Sequence, residues 1–596
     1  MVNVTIDGNT IQVPEGTTVL RAAEQAGISI PVLCDHINLV PFGGCRLCVV
    51  EVEGMRTMQP ACSLPVSNNM VVRTDTEKVQ AARKFVLTLI FSDRNHFCPY
   101  CQVSGGDCEL QNAALKMGMT HWEYQPNWKP YPVDASHPYL VIDHNRCILC
   151  RRCVRACGEL VGNFTLGVEE RGASSMLMCD VGVPFGESSC ISCGTCSQVC
   201  PTGAIIDRRS AYQGLEKTDK RTASICLACS VGCGIEVLTR DNRLVRVLGR
   251  WDAPVNEGVL CKQGRFVPLE EDRKRITTPM VRKDGKLEPA TWTEALNAVA
   301  AGLKPLAGLG KGGVAAVASP RLPIESLAAF KQLFKVGLGG DVVTSLEEGA
   351  STAASSALAG EIGPFETDLQ NLQTSDCVVV LGADLANDAQ VMGFMIKRIL
   401  PNQTALVLVD SADNAFTPFA RVALKPAEGT EKFAVRGLFA AVVKLGLAKG
   451  HANGMDADEE LKNAAQKTGV PVNNFLQAAG ILGNATLPVF VYGKGLDLAA
   501  LKAVAELAGL VGASKKLLGA RSGANSLAAA QFGLDQPFKR NGHQAVYVAL
   551  GDDQPAQHLI QEIDGVPFLA VQASYASRLT AMADVVLPVE MWAETS

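Results

Sequence analysis

Cysteine placement constrains this chain more than any other feature. The sequence holds 21 cysteines, and all but Cys377 lie at or before Cys261. Thiols gathered this way form either a disulfide framework or sets of metal ligands. Disulfide frameworks belong to small secreted domains. This chain has 596 residues and opens on Met1-Val2-Asn3-Val4-Thr5-Ile6, without the charged and apolar regions of a secretion signal. A chain of that length divides into several domains. No apolar run reaches the roughly 18 residues that span a bilayer, and a cytoplasmic protein is expected. The net charge of −5, with no basic block, offers nucleic acid no footing. Spacing then decides what the thiols hold.

Cys34, Cys45, Cys48 and Cys62 read as C-x10-C-x2-C-x13-C. They follow a predicted hairpin turning at Asp7-Gly8 and a helix capped by Thr17 or Thr18, with Leu20, Ala23 and Ala26 facing inward. Hairpin, helix and thiol loop are the parts of a plant-type [2Fe–2S] ferredoxin, although the spacing differs from C-x4-C-x2-C. Gly43 and Gly44 let the backbone close round a cluster. Next, His96, Cys98, Cys101 and Cys108 offer one imidazole and three thiolates, a set suited to a [4Fe–4S] cluster of raised potential. Zinc is the competing occupant of both groups.

Two matched runs follow: Cys147, Cys150, Cys153, Cys157, and then Cys190, Cys193, Cys196, Cys200 with Pro201 behind it. In the bacterial C-x2-C-x2-C-x3-C-P form the fourth cysteine serves the other cluster. Cys147, Cys150, Cys153 and Cys200 are therefore expected to hold one [4Fe–4S], and Cys190, Cys193, Cys196 and Cys157 its twin. Cys179, between the runs, reads as a small buried hydrophobe. Cys226, Cys229 and Cys233 are completed by Cys261 across a Val/Leu/Arg stretch that predicts strands. One [2Fe–2S] and four [4Fe–4S] clusters use 19 cysteines and His96.

From Thr291 the texture changes. Thr291 and Glu294 can form a capping box. Apolar strands at Val314–Val317, Cys377–Leu381, Ala405–Val409, Val489–Tyr492 and Ala545–Leu550 alternate with helices near 323–336 and 389–399. That alternation predicts a parallel α/β sheet. Gly308-Leu309-Gly310-Lys311-Gly312-Gly313 lacks phosphate-loop spacing and reads as a turn.

On these motifs the chain resembles the large iron–sulfur subunit of complex I, the alpha subunit of NAD-dependent formate dehydrogenases and, over its N-terminal 215 residues, the diaphorase iron–sulfur subunit of NAD-reducing hydrogenases. Two details lean away from complex I itself: the tight His96-x-Cys98 spacing and the complete double ferredoxin run. Residues 219–596 resemble the molybdopterin oxidoreductases through the Cys226 motif, Asp376–Gly382, Arg521-Ser522-Gly523-Ala524-Asn525 and Ala583–Pro588. The resemblance implies a [2Fe–2S] ferredoxin domain of β-grasp fold over residues 1–80, a His/Cys cluster domain over 81–138 and a double-cubane domain over 139–215. A fourth cluster domain over 219–275 and a molybdopterin-type α/β domain over 276–596 follow, its C-terminal cap missing.

Active molybdopterin members supply a Cys or selenocysteine ligand about 100 residues past the cubane motif, by that same resemblance; no cysteine lies between Cys261 and Cys377. They also place a Lys two positions after the last cubane cysteine, where this chain has Gln263, with Lys262 one place early. The expected function is thus an electron-transfer subunit of an NAD(P)H-linked complex, with no catalytic residue of its own. Its implied partners are a flavin/NAD(H) subunit, a small thioredoxin-like [2Fe–2S] subunit and a second catalytic module such as a hydrogenase or formate dehydrogenase. The alternatives are a catalytic formate dehydrogenase subunit with Mo/W bis-pterin and a zinc-stabilised scaffold.

Overall fold

Asp7 and Gly8 both take positive φ, 46° and 86°, the geometry of a two-residue turn whose twist matches the strands it joins. They connect Val2–Ile6 to Asn9–Val13, with Val2 opposite Val13 and Ile6 opposite Asn9. The computed structural model describes residues 1–96, 103, 108–125, 128–211, 213–346, 350–452 and 454–595. It divides into two compact units: residues 1–224 with 235–269, and residues 225–234 with 270–596.

In the first unit, Val2–Ile6 also pairs in parallel with Met70–Arg73. The resulting five-stranded sheet has the order 9–13, 2–6, 70–73, 49–52, 59–60. Parallel neighbours need a crossover, and the helix Val19–Gln25 lies on that path. Thr18 is its cap, accepting from the Arg21 amide at 3.4 Å. Val19, Leu20, Ala22 and Ala23 bury against Val4, Ile6, Val50 and Val72, while Ala26 ends the helix half-buried. This is the expected β-grasp.

Helices Glu77–Asp93 and Glu109–Lys116 come next. A three-stranded sheet of 205–207, 140–143 and 133–134 and a ribbon of 166–169 with 176–179 then frame the paired cysteine runs. Sulfur is part of the core here: Cys147, Cys153, Cys179 and Cys196 pack with Leu140, Ile142 and Phe185. The strands predicted ahead of Cys261 are Gly234–Arg240 and Arg243–Gly249, paired antiparallel.

The second unit holds two sheets where the alternation had suggested one. Five parallel strands run in the order 422–424, 405–409, 377–381, 488–492, 517–519. Seven strands form the other, parallel from 343–345 to 585–588 and closed by an antiparallel hairpin of 280–283 and 286–289. Cys377–Leu381, Ala405–Val409 and Pro488–Tyr492 are buried at every position, because helices cover both faces of such a sheet. The Thr291–Glu294 capping box opens helix Trp292–Leu303. The helix expected over 323–336 runs Ile324–Lys331 and passes into a π-helical turn ending at Gly337. Among the described residues no helix is long and apolar enough to cross a membrane.

Candidate functional site

Among the described residues no cysteine pair is joined by a disulfide. Cys34, Cys48 and Cys62 are buried and Cys45 is half-buried in the loops bordering strands 49–52 and 59–60. The Cys34 thiol contacts those of Cys45 and Cys62, and Cys62 contacts Cys48. Contact with Cys45 and Cys62 holds the Cys34 thiol far below its usual range, at about 2, whereas Cys34 pushes Cys45 and Cys62 upward. Backbone amides of Cys45 and Gly44 also donate to the Cys34 sulfur. Gly43 has φ +68°, and a Cβ on Gly44 would stand 2.3 Å from the Phe42 ring. Gly43 needs glycine for its left-handed backbone, and a side chain at Gly44 would have to displace the Phe42 ring.

His96 is 9% exposed, and its Nε2 has no hydrogen-bond partner among the described residues. Burial, then Arg146 and Arg94, lowers its pKa to about 4. The imidazole is thus neutral and presents a lone pair, the form in which histidine ligates metals. Cys108 is buried at the N-terminus of helix Glu109–Lys116, where a helix favours thiolate. The other two expected ligands of this group, Cys98 and Cys101, lie outside the described residues. Glu109 grips Arg152 through both oxygens, at 2.6 and 2.8 Å, tying this helix to the first matched run.

The matched runs cross over. One small cavity is lined by Cys147, Cys150, Cys153 and Cys200, and another by Cys157, Cys190, Cys193 and Cys196. Each therefore draws its fourth thiol from the opposite run. The loops are twofold copies in detail. Leu149 and Arg151 have φ of 53° and 58°; at the same offsets Ser192 and Gly194 have 58° and 68°. The Leu149 amide donates to Cys147 Sγ and the Ser192 amide to Cys190 Sγ, each at 3.4 Å. Left-handed backbone at non-glycine residues costs about 1–2 kcal/mol each and turns amides toward sulfur. Burial pushes the Cys153 and Cys196 thiols well above their usual value. Cys179 sits buried in its strand, its thiol raised to about 12 by burial.

Thr195 lines the second cavity, is 1% exposed, and its hydroxyl has no partner among the described residues. No spacing rule pointed to it; a hydroxyl between two cysteine ligands was the available signal. A single tetrahedral ion needs its sulfurs about 2.3 Å from one point. Among the described residues, no group of three or more Cys, His, Asp or Glu is arranged to hold a single ion.

In the second unit the Cys226 amide donates to the Cys233 carbonyl at 2.8 Å, and Cys229 forms a backbone bridge with Ser522. Cys261 belongs to the first unit, buried at the start of the turn Lys262–Arg265. The second unit also contains a cavity of about 1140 Å³, lined by Arg321, Ser345, Lys494, Ser522 and Asp553. These residues follow the carboxyl ends of five strands, where parallel sheets bind ligands. No described cysteine lines it. Cys377 lies 0% exposed inside its strand, with burial raising its thiol to about 12.

Known families match the chain in the order of these groups. They are the 2Fe-2S iron-sulfur cluster binding domain over residues 1–77, the NADH-ubiquinone oxidoreductase-G iron-sulfur binding region over 83–122 and the 4Fe-4S dicluster domain over 140–204. The molybdopterin oxidoreductase Fe4S4 domain covers 219–270, and the molybdopterin oxidoreductase family covers 275–596, more than half of the chain. An NADH-quinone oxidoreductase G subunit of Rhizobium meliloti (strain 1021) is 33% identical over 449 residues, 74% of this chain and 52% of that protein. The NADPH-Fe(3+) oxidoreductase alpha subunit of Geobacter sulfurreducens (strain DL-1 / KN400) is 32% identical over 534 residues, 86% of this chain and 62% of that protein. This chain thus spans about half to three-fifths of the length of these relatives.

The donors fit iron–sulfur clusters: four-thiol cavities, an unpartnered hydroxyl inside one, and a buried neutral imidazole nitrogen free to ligate. Among the described residues lining the large cavity there is no soft thiolate of the kind molybdenum or tungsten can take.

Proposed function

The chain belongs to the molybdopterin oxidoreductase family and is a relative of the G subunits of NADH–quinone oxidoreductases; from that premise we propose that it is an electron-transfer subunit of an NAD(P)H-linked complex. The crossover of the two cysteine runs carries this reading, since it builds two adjacent redox nests from a single fold. When bound, an iron–sulfur cluster supplies reversible one-electron storage. Cys34, Cys45, Cys48 and Cys62 are assigned a [2Fe–2S] cluster. Four [4Fe–4S] clusters are assigned to His96 with Cys98, Cys101 and Cys108; to Cys147, Cys150, Cys153 and Cys200; to Cys157, Cys190, Cys193 and Cys196; and to Cys226, Cys229, Cys233 and Cys261.

The residues around these nests keep water from sulfur, orient amides toward it and hold each set rigid, which sets potential and lowers the cost of changing charge. Plant-type [2Fe–2S] centres lie at about −400 mV, low enough to serve a nicotinamide couple. The chain has no flavin or NAD motif, so hydride chemistry is assigned to a flavin/NAD(H) partner, accompanied by a small thioredoxin-like [2Fe–2S] subunit. A second catalytic module, a hydrogenase or formate dehydrogenase type, takes or supplies the electrons. The molybdopterin-type domain serves as a platform for these contacts, and the protein works in the cytoplasm.

Cys193→Ser in the full chain is expected to lower iron by one cubane and to interrupt electron flow between partners while the second unit stays folded. Full electron transfer through that variant defeats the relay. The basic side chains Arg321 and Lys494 in the large cavity favour one competing reading, a bis-pterin formate dehydrogenase. Stoichiometric molybdenum or tungsten in purified protein decides for it.

A further inference from the structure

Arg265, four residues beyond Cys261, is among the most deeply buried large side chains in the protein, at 2% exposure. Its Nε donates to the Cys193 carbonyl at 2.7 Å, Nη2 to Gln198 Oε1 at 2.7 Å and Nη1 to the Val247 carbonyl at 3.3 Å. All three acceptors are neutral. Gln198 is itself fixed, its amide exchanging hydrogen bonds with Gly249 at 2.7 and 3.0 Å. Among the described residues no carboxylate comes within the 4.0 Å of an ion pair with Arg265. Asp207 acts on it only through space.

Three other buried guanidiniums are answered by carboxylates: Arg94 pairs with Asp93 at 3.5 Å, Arg152 with Glu109 at 2.6 Å, and Arg521 with Glu366. Arg83, at 3% exposure, donates to the Val49 carbonyl at 2.9 Å and, like Arg265, is acted on by a ligand thiol, that of Cys48. Arginine does not shed its proton in a protein, and an unpaired buried charge is strongly destabilising. A buried guanidinium without a carboxylate therefore needs another anion. Gly194 shows how closely the loop is fitted to it: a Cβ there would stand 2.4 Å from Arg265 Cδ. Beside its hydrogen bond to the Cys193 carbonyl, the guanidinium is acted on electrostatically by the thiols of Cys193 and Cys196.

We propose that Arg265 is the buried counter-charge of the cubane held by Cys157, Cys190, Cys193 and Cys196, and that it holds this cubane's potential above that of its twin. This rests on the cubane assignment made above. A [4Fe–4S] core with four thiolates carries net negative charge that grows by one on reduction. A fixed cation favours the reduced form, and net charge is one of the levers that set these potentials. The twin's nearby cations are neutralised or solvated: Arg152 is held by both oxygens of Glu109, Arg94 pairs with Asp93, and Arg151, which lines that cavity, is exposed to solvent. The two nests share backbone geometry and differ in charge, so an electron shared by the pair rests on the Cys190 side. Arg265 is a positioning and tuning residue, with no contact to substrate.

The test uses the full chain, purified anaerobically, with iron content and EPR-monitored redox titration as readouts. The signal of the Cys190 nest is identified by its loss in Cys193→Ser. Arg265→Gln is expected to keep its iron, and at the potential where the native signal is half reduced its reduced-to-oxidised ratio falls about tenfold, a shift of about 59 mV. Arg265→Lys, which keeps the charge, stays within about threefold of the native ratio, and so do the remaining signals. An unchanged Cys190 signal in Arg265→Gln, or an equal shift of its twin, overturns the proposal. If Arg265→Gln loses iron, the lysine variant decides. A native-like ratio with full iron supports the charge, and a tenfold fall or loss of the cubane overturns it. Full iron in Cys193→Ser defeats the cubane assignment instead, which separates the two failures.

Discussion

At Gly194 two requirements meet in one residue. Its φ of +68° continues the left-handed pattern of the ligand loop, and its missing side chain leaves room for Arg265 and the Phe266 ring, 3.0 Å from the position of a Cβ. Gly194→Ala should therefore lower stability by about 2 kcal/mol or more. Ser192→Gly, in the same backbone region with no such crowding, should stay within about 1 kcal/mol. Denaturant unfolding of the iron-loaded protein measures both. His137 makes a separate demand. Its Nδ1 accepts from the amides of Tyr139 and Leu140 at 3.1 and 3.2 Å, and its Nε2 lies 3.3 Å from Ser192 Oγ. Burial lowers its pKa from 6.5 to about 4. The unfolded chain takes up a proton below about pH 6.5 that the folded one refuses until about pH 4, so stability falls as pH drops across that window. The slope from this residue is at most about 1.4 kcal/mol per pH unit. His137→Asn, which keeps an acceptor but cannot charge, should show a shallower pH dependence of unfolding than the native protein.

At the level of elements, the long central strands were readable because both of their faces are buried. Cys377–Leu381 and Ala405–Val409 are continuous apolar runs, and no polar alternation competes with that reading. The short edge strands 343–345, 422–424 and 517–519 escaped, since three residues carry too little pattern to separate strand from loop; the inner strand Phe568–Ala573 escaped as well, its apolar run broken by Gln572. Placing Cys377 inside a strand also bears on chemistry. It pairs in register with Ala405 on one side and Pro488 on the other, so its sulfur serves packing. Cys377→Ala should cost about 1 kcal/mol of stability and leave the metal content of the protein unchanged, as read by elemental analysis. Loss of molybdenum, tungsten or iron in that variant would show that the thiol has a ligand role after all.

Across the whole molecule, the two units draw on different kinds of core. The second is held by aliphatic clusters around its parallel sheets, such as Val379, Val407, Leu438 and Phe490. The paired-run region of the first makes Cys147, Cys153, Cys179 and Cys196 part of its core, among side chains such as Leu140, Ile142, Leu177 and Phe185. Metal bound to such a site contributes directly to folding free energy. Stripping iron with a chelator under oxidising conditions should therefore open residues 139–215 to proteolysis and abolish their thermal transition. The transition of residues 270–596 should persist. Joint collapse of both units in calorimetry would contradict the separation.

By itself, the sequence determined the α/β character of residues 276–596 and pointed to the crossover of the two cysteine runs that the two small cavities display. Those features are local: cluster ligands come at short fixed intervals, and doubly covered strands are apolar end to end. Only the tertiary structure decided that Arg265 lies against Cys193 without a described carboxylate, that Thr195 points its hydroxyl at no described partner, and that no described thiol lines the large cavity. These depend on which distant segments are brought together and on what water is shut out. Burial of charge and hydroxyl is a property of the packed chain, and no spacing along it records the result.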